Sequence, residues 1–170
     1  MTVLPSVDAG TRRELMADLT QALAPGSPEQ LFAIFRFYGL AELTAERGSE
    51  AQEQLLKVSI RRAHAVLGSD GRVYRPRADE LAVLFGRTLE SALDLLDRIT
   101  VELNELGSSR GVMVEAGVAI VPDEADNPIG VLERADRRLV AGDRESDDAL
   151  EARRPRRTLI TEPSRKLTAG

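Results

Sequence analysis

The sequence predicts an α/β (α+β) fold with a central, mostly antiparallel, five-strand-like sheet flanked by helices. Three observations carry this. Segments with helical apolar spacing alternate with short apolar runs in the order α-β-α-β-β-α-β-α. Two of the apolar runs meet directly at "RPRADEL", with no helix between them, so they read as an antiparallel hairpin. The remaining runs are separated by helices long enough to cross over, and a layered sheet with covering helices is the natural way to bury both.

The elements follow in order. In "TRRELMADLTQAL", Leu15, Leu19 and Leu23 recur every four residues, and Thr11 can cap the start. "APGSPEQ" ends this helix. "LFAIFRF", Leu31 to Phe37, is short, apolar and aromatic, and reads as a buried strand. "SEAQEQLLKVSIRRAHAVLG" is helical, with Leu55, Ile60, Ala63 and Leu67 in period, Ser49 as a cap and Gly68 as a stop. "VYR" is a short strand that Pro76 is expected to end. "ELAVLFG" is a second buried strand. "TLESALDLLDRITVELNELG" places Leu89, Leu93, Leu96, Ile99 and Leu103 on one helical face, with Thr88 as its cap. "GVMVEAGVAIVP" reads as a strand and "IGVLERADRRLVAG" as a last helix. Beyond Asp143 the chain is charged and aperiodic, and a disordered tail is expected. The domain limits expected are an N-terminal extension over 1–10, the domain over 11–144 and a charged tail over 145–170.

Composition narrows the chemistry. The chain has 170 residues, enough for one domain with its own core. It has no Cys and one His, which excludes disulfides, thiolate chemistry and multi-histidine metal centres. A Ser-His-Asp site would have to use His64, which lies in a helical segment without a nucleophile motif nearby. The formal charge of −5 is uneven: from Glu151 to Gly170, Arg153, Arg154, Arg156, Arg157, Arg165 and Lys166 stand against Glu151 and Glu162. That segment thus carries about +4 and the remainder about −9, a body that does not suggest nucleic-acid binding. No apolar run approaches the roughly 20 residues of a membrane span, and the N-terminus lacks an apolar signal core, so the cytoplasm is expected.

Asp79 and Glu80, in "RADEL", are the carboxylates that invite a chemical reading: a divalent-ion site, or a polar hairpin tip satisfied by water and nearby Arg. Their context resembles the GGDEF domain of diguanylate cyclases. Arg77-Ala78-Asp79-Glu80-Leu81 stands where Gly-Gly-Asp-Glu-Phe would stand. "VEAGVAIVP" is similar to the Ser-Ile-Gly-Val-Ala strand, "VLERADRRLV" to the closing Ala-Asp-x-x-Leu-Tyr helix, and "TRRELMADL" to the entry helix. The resemblance covers roughly Val7 to Arg144. It implies a nucleotide-cyclase-type fold and, for active members, condensation of two GTP molecules into cyclic di-GMP with metal ions held by carboxylates.

Carried over position by position, the resemblance implies heavy change. The metal-binding Asp at the end of the first strand becomes Arg36, and the second Asp of that motif becomes Tyr38. The guanine-reading Asn becomes Thr44, and the Asp that helps hold the guanine becomes Glu53. The phosphate-binding Lys becomes Asp143. The two glycines become Arg77 and Ala78, and an Arg at a left-handed turn position would cost roughly 1–2 kcal/mol. The Arg-x-x-Asp of a product-inhibition site is absent, because Leu67 precedes Asp70 by three residues. The expectation is therefore a degenerate, non-enzymatic member with no cofactor and no metal, in which Arg36 pairs with Asp79. Its role would be regulatory or protein-interacting in bacterial signalling, with a protein partner or a second copy of the chain, as in a homodimer. Membrane, nucleic-acid and nucleotide binding are not expected. The alternatives are a GTP or cyclic di-GMP sensor using Glu53, Arg36 and Arg77, and an active cyclase.

Overall fold

A computed structural model describes residues 8–86 and 88–140. Its elements are β1 (Gly10–Thr11), α1 (Arg12–Ala22), β2 (Gln30–Tyr38), α2 (Leu40–Arg47), α3 (Ser49–Leu67), β3 (Gly71–Arg77), β4 (Glu80–Phe85), α4 (Leu89–Ser108), β5 (Met113–Val121) and α5 (Pro128–Val140). The five strands form one sheet in the order β1-β3-β4-β2-β5. Only the short β1–β3 pairing is parallel; β3–β4, β4–β2 and β2–β5 are antiparallel.

The sheet is covered on both faces, which is why β2 and β4 read as continuous apolar runs rather than as alternating ones. Leu31, Ala33, Phe35 and Phe37 of β2 face α2, α3 and α4, where Leu43, Leu55, Ile60, Leu96 and Ile99 complete the larger core. Phe32 and Ile34 face α1 and α5, against Leu15, Leu19, Val131, Ala135 and Leu139. The period of two along β2 thus assigns its residues to two separate cores.

Local chemistry explains the boundaries. Thr11 closes a capping box at α1: its Oγ1 accepts from Glu14 N at 3.2 Å, while its own N–H donates to Glu14 Oε2 at 2.6 Å. Gly117 of β5 lets α5 lie close on the sheet, since a Cβ there would stand 2.2 Å from the Ala135 carbonyl oxygen. A buried ion cluster fastens the same contact. Arg138, 3% exposed, donates to the Val118 carbonyl at 2.7 Å and pairs with Glu124, which Arg134 also contacts at 3.1 Å. Burial opposes ionisation of Glu124, but the hydrogen bonds and charges of Arg138 and Arg134 prevail and hold its carboxyl below the ordinary range.

Several expectations are corrected. A helix, α2, occupies "LAELTAER", and Gly48 with φ +85° separates it from α3, so Ser49 is the first helical residue rather than the cap. β3 continues through Pro76 to Arg77; the missing N–H is absorbed by a register shift between Tyr74 and Arg77. Thr88 precedes α4, but its hydroxyl donates to Ser91 Oγ at 3.2 Å and makes no capping bond to the backbone. β1 lies partly within the stretch expected to be an extension. Asp143, Arg144 and the charged tail fall outside the described residues.

Candidate functional site

The candidate site lies where the β3–β4 hairpin, the end of β2 and α5 converge. Arg77 pairs with Glu80 across the hairpin, leaving Ala78 and Asp79 as a two-residue turn. Arg36 is the cross-strand partner of Glu80 in the β2–β4 ladder. In an antiparallel ladder, directly opposed residues project from the same face. This places the Arg36 guanidinium against the Glu80 carboxylate, on the face covered by α1 and α5.

Arg36 donates from Nε to Glu80 Oε1 at 3.0 Å and from Nη2 to the same oxygen at 2.5 Å. Its Nη2 also bonds to Asp136 Oδ1 of α5. The Glu80 side chain is only 5% exposed and that of Arg36 17%. Burial disfavours the Arg36 cation, but the hydrogen bonds and charges of Glu80 and Asp136 outweigh it, so its pKa lies above that of a free arginine. One guanidinium therefore joins three elements. Arg77, with a largely exposed side chain, approaches the second Glu80 oxygen at 3.9 Å.

The expected partner of Arg36, Asp79, does not fill that role. Asp79 is in the turn, where its carbonyl accepts from Phe37 N at 3.0 Å; the ladder register brings Glu80 opposite Arg36 instead. The expected backbone cost at Arg77 is also absent, since no described non-glycine residue has a positive φ. Leu81 is fully buried in the larger core.

Glu53 is placed apart from Arg36. Arg75 grips it with two bonds, 3.0 Å and 2.9 Å, and donates to the Ala78 carbonyl at 3.0 Å, tying α3 to the hairpin turn. The Arg75 hydrogen bonds hold the Glu53 carboxyl below its ordinary range. Thr44 Oγ1 donates to Gln52 Oε1 at 2.7 Å, and Tyr38 is 36% exposed. His64 sits on α3 with its Nε2 buried and without a hydrogen-bond partner among the described residues. Asp136 is the site residue that sequence reasoning missed. Its position in the helical phase of Val131, Ala135 and Leu139, beside the face that packs on the sheet, was the available signal.

Beside the cluster lies a cavity of about 200 Å³, with Arg12, Arg77, Ile34, Pro76, Ile129 and Glu133 among its lining residues. Among the described residues, no three His, Asp or Glu side chains gather to hold a metal ion. The divalent ions that the GGDEF resemblance implies do not fit this arrangement. Glu80 and Asp136 are already shared by a guanidinium that stays protonated at any working pH, and a second cation would meet its charge at close range.

No protein-family model and no curated protein matches the sequence. Solved structures do. The GGDEF domain of DgcB from Caulobacter crescentus, in complex with c-di-GMP, superposes with a TM-score of 0.69 at 20% identity, over 86% of this chain and 92% of that one. The active GGEEF domain of a diguanylate cyclase from Vibrio cholerae gives 0.69 at 16% identity, over 81% and 93%. Diguanylate cyclase SiaD from Pseudomonas aeruginosa, in complex with its activator SiaC, gives 0.71 at 18% identity, over 84% of this chain and 58% of that one. The fold is that of GGDEF domains. These neighbours overturn the expectation of a non-enzyme, since the fold this chain shares is also that of an active cyclase domain.

Proposed function

We propose that this GGDEF-fold domain acts as a regulatory, protein-interacting module in bacterial signalling, with its hairpin and closing helix held together by its own ion cluster. The observation that carries the reading is the Arg36 guanidinium bound to both Glu80 and Asp136. Such a cluster gives the site a fixed shape without a bound ligand, which suits a surface read by another protein or by a second copy of the chain. SiaD, solved with its activator protein, is a neighbour of this fold that engages a protein partner. The domain is taken as residues 11–144, with 145–170 as a charged tail. No helix among the described residues is long and apolar enough to cross a membrane, in keeping with a cytoplasmic site of action.

A second reading is a GTP or cyclic di-GMP sensor. It is favoured by the cavity beside the cluster and by the exposed cation of Arg77 on its wall. Calorimetric titration with GTP, with and without Mg²⁺, and with cyclic di-GMP separates the two. Absence of heat, together with concentration-dependent self-association in light scattering, supports the interaction module. Micromolar nucleotide affinity replaces it with the sensor. Formation of cyclic di-GMP from GTP, abolished by Glu80→Gln, would replace both.

A further inference from the structure

We infer that Arg36 is the resident cation of a carboxylate site, a protein-borne replacement for a divalent ion. The geometry argues for this independently of the regulatory reading. Glu80 from β4 and Asp136 from α5 point at one place, and the group that occupies it comes from β2. Glu80 is nearly inaccessible, so its charge needs a cation in contact with it. Arg36 supplies that cation through two nitrogens to one Glu80 oxygen and a shared nitrogen to Asp136. Lys would offer a compact point charge, whereas the planar guanidinium reaches two carboxylates on different elements at once.

Two consequences follow. The junction of β2, the hairpin and α5 is independent of divalent ions. Converting position 36 to a carboxylate both removes the cation and adds a third hard oxygen ligand, so the emptied place becomes a site for Mn²⁺ or Mg²⁺.

The test is a Mn²⁺ titration of the intact chain, followed by the paramagnetic resonance of the free ion. The wild-type chain is expected to show no saturable Mn²⁺ site, and its unfolding midpoint is expected to be the same in EDTA and in Mg²⁺. Arg36→Asp is expected to gain one saturable site and a Mn²⁺-dependent rise in unfolding midpoint, and adding Glu80→Gln is expected to remove both. Should Arg36→Asp be unfolded without the ion, recovery of its helical circular dichroism on adding Mn²⁺ supports the inference, and failure to recover overturns it. It is equally overturned by a saturable wild-type site lost in Glu80→Gln, or by a folded Arg36→Asp chain that takes up no ion.

Discussion

Arg36 and Glu80 face each other across the β2–β4 ladder, with two guanidinium nitrogens on one carboxylate oxygen at 3.0 and 2.5 Å. Asp136 of α5 completes the contact from a part of the chain 100 residues away. Asp136 is half exposed, so its share is modest. Asp136→Asn is expected to lower stability by about 1 kcal/mol in urea unfolding, with the denaturant slope unchanged. A loss several times larger would mean that Asp136, rather than Glu80, carries the cluster.

The buried cluster beneath α5 behaves differently. Glu124→Gln leaves the Arg138 cation, 3% exposed, without its counter-charge, and is expected to cost about 3 kcal/mol. Arg134→Gln, which removes a more exposed partner of the same carboxylate, is expected to cost under about 1 kcal/mol. Thermal unfolding of the two variants side by side gives the ranking, and equal losses would contradict it.

Gly117 is the place where α5 comes closest to the sheet. Gly117→Ala puts a methyl group 2.2 Å from the Ala135 carbonyl oxygen and 2.8 Å from Leu139 Cγ, so the helix must move. A loss of about 3 kcal/mol is expected. Hydrogen exchange would show it as faster exchange in α5 and in its partner β5, while α3 and α4 keep their protection.

His64 supplies a pH dependence. Burial holds its pKa below the ordinary histidine value, partly offset by a hydrogen bond to the Asp8 backbone. A depressed histidine pKa means that the unfolded chain binds the proton more readily. The contribution is present above the unfolded value of about 6.5 and is lost as pH falls through the folded value. Urea midpoints between pH 7.5 and 5 are expected to fall with a slope that His64→Gln reduces. An unchanged slope in the variant would assign the acid sensitivity to the carboxylates.

Much of the fold is legible in the chain because its main elements are locally consistent. Leu15 and Leu19, or Leu93, Leu96, Ile99 and Leu103, fall on one helical face wherever they are read, and Phe32 to Phe35 are too short and too apolar to be other than a covered strand. α2 was not legible, since its eight residues contain only two buried positions, Leu40 and Leu43, and Gly48 merges visually with the start of α3. β1 is two residues long and exists only because β3 pairs with it. Arg36 and Glu80 were individually legible as site residues. Their pairing was not, because it depends on ladder register, which a one-residue difference between Asp79 and Glu80 decides. Asp136 was hidden by distance along the chain.

A double-mutant cycle between Arg36 and Glu80 measures whether the two side chains hold each other. Urea unfolding of Arg36→Gln, Glu80→Gln and the double variant measures the coupling between the two side chains. Each single change is expected to cost about 3 kcal/mol, and the double to cost less than their sum by about 1–3 kcal/mol. Additive losses would contradict this, since they would mean that Arg36 and Glu80 do not hold each other.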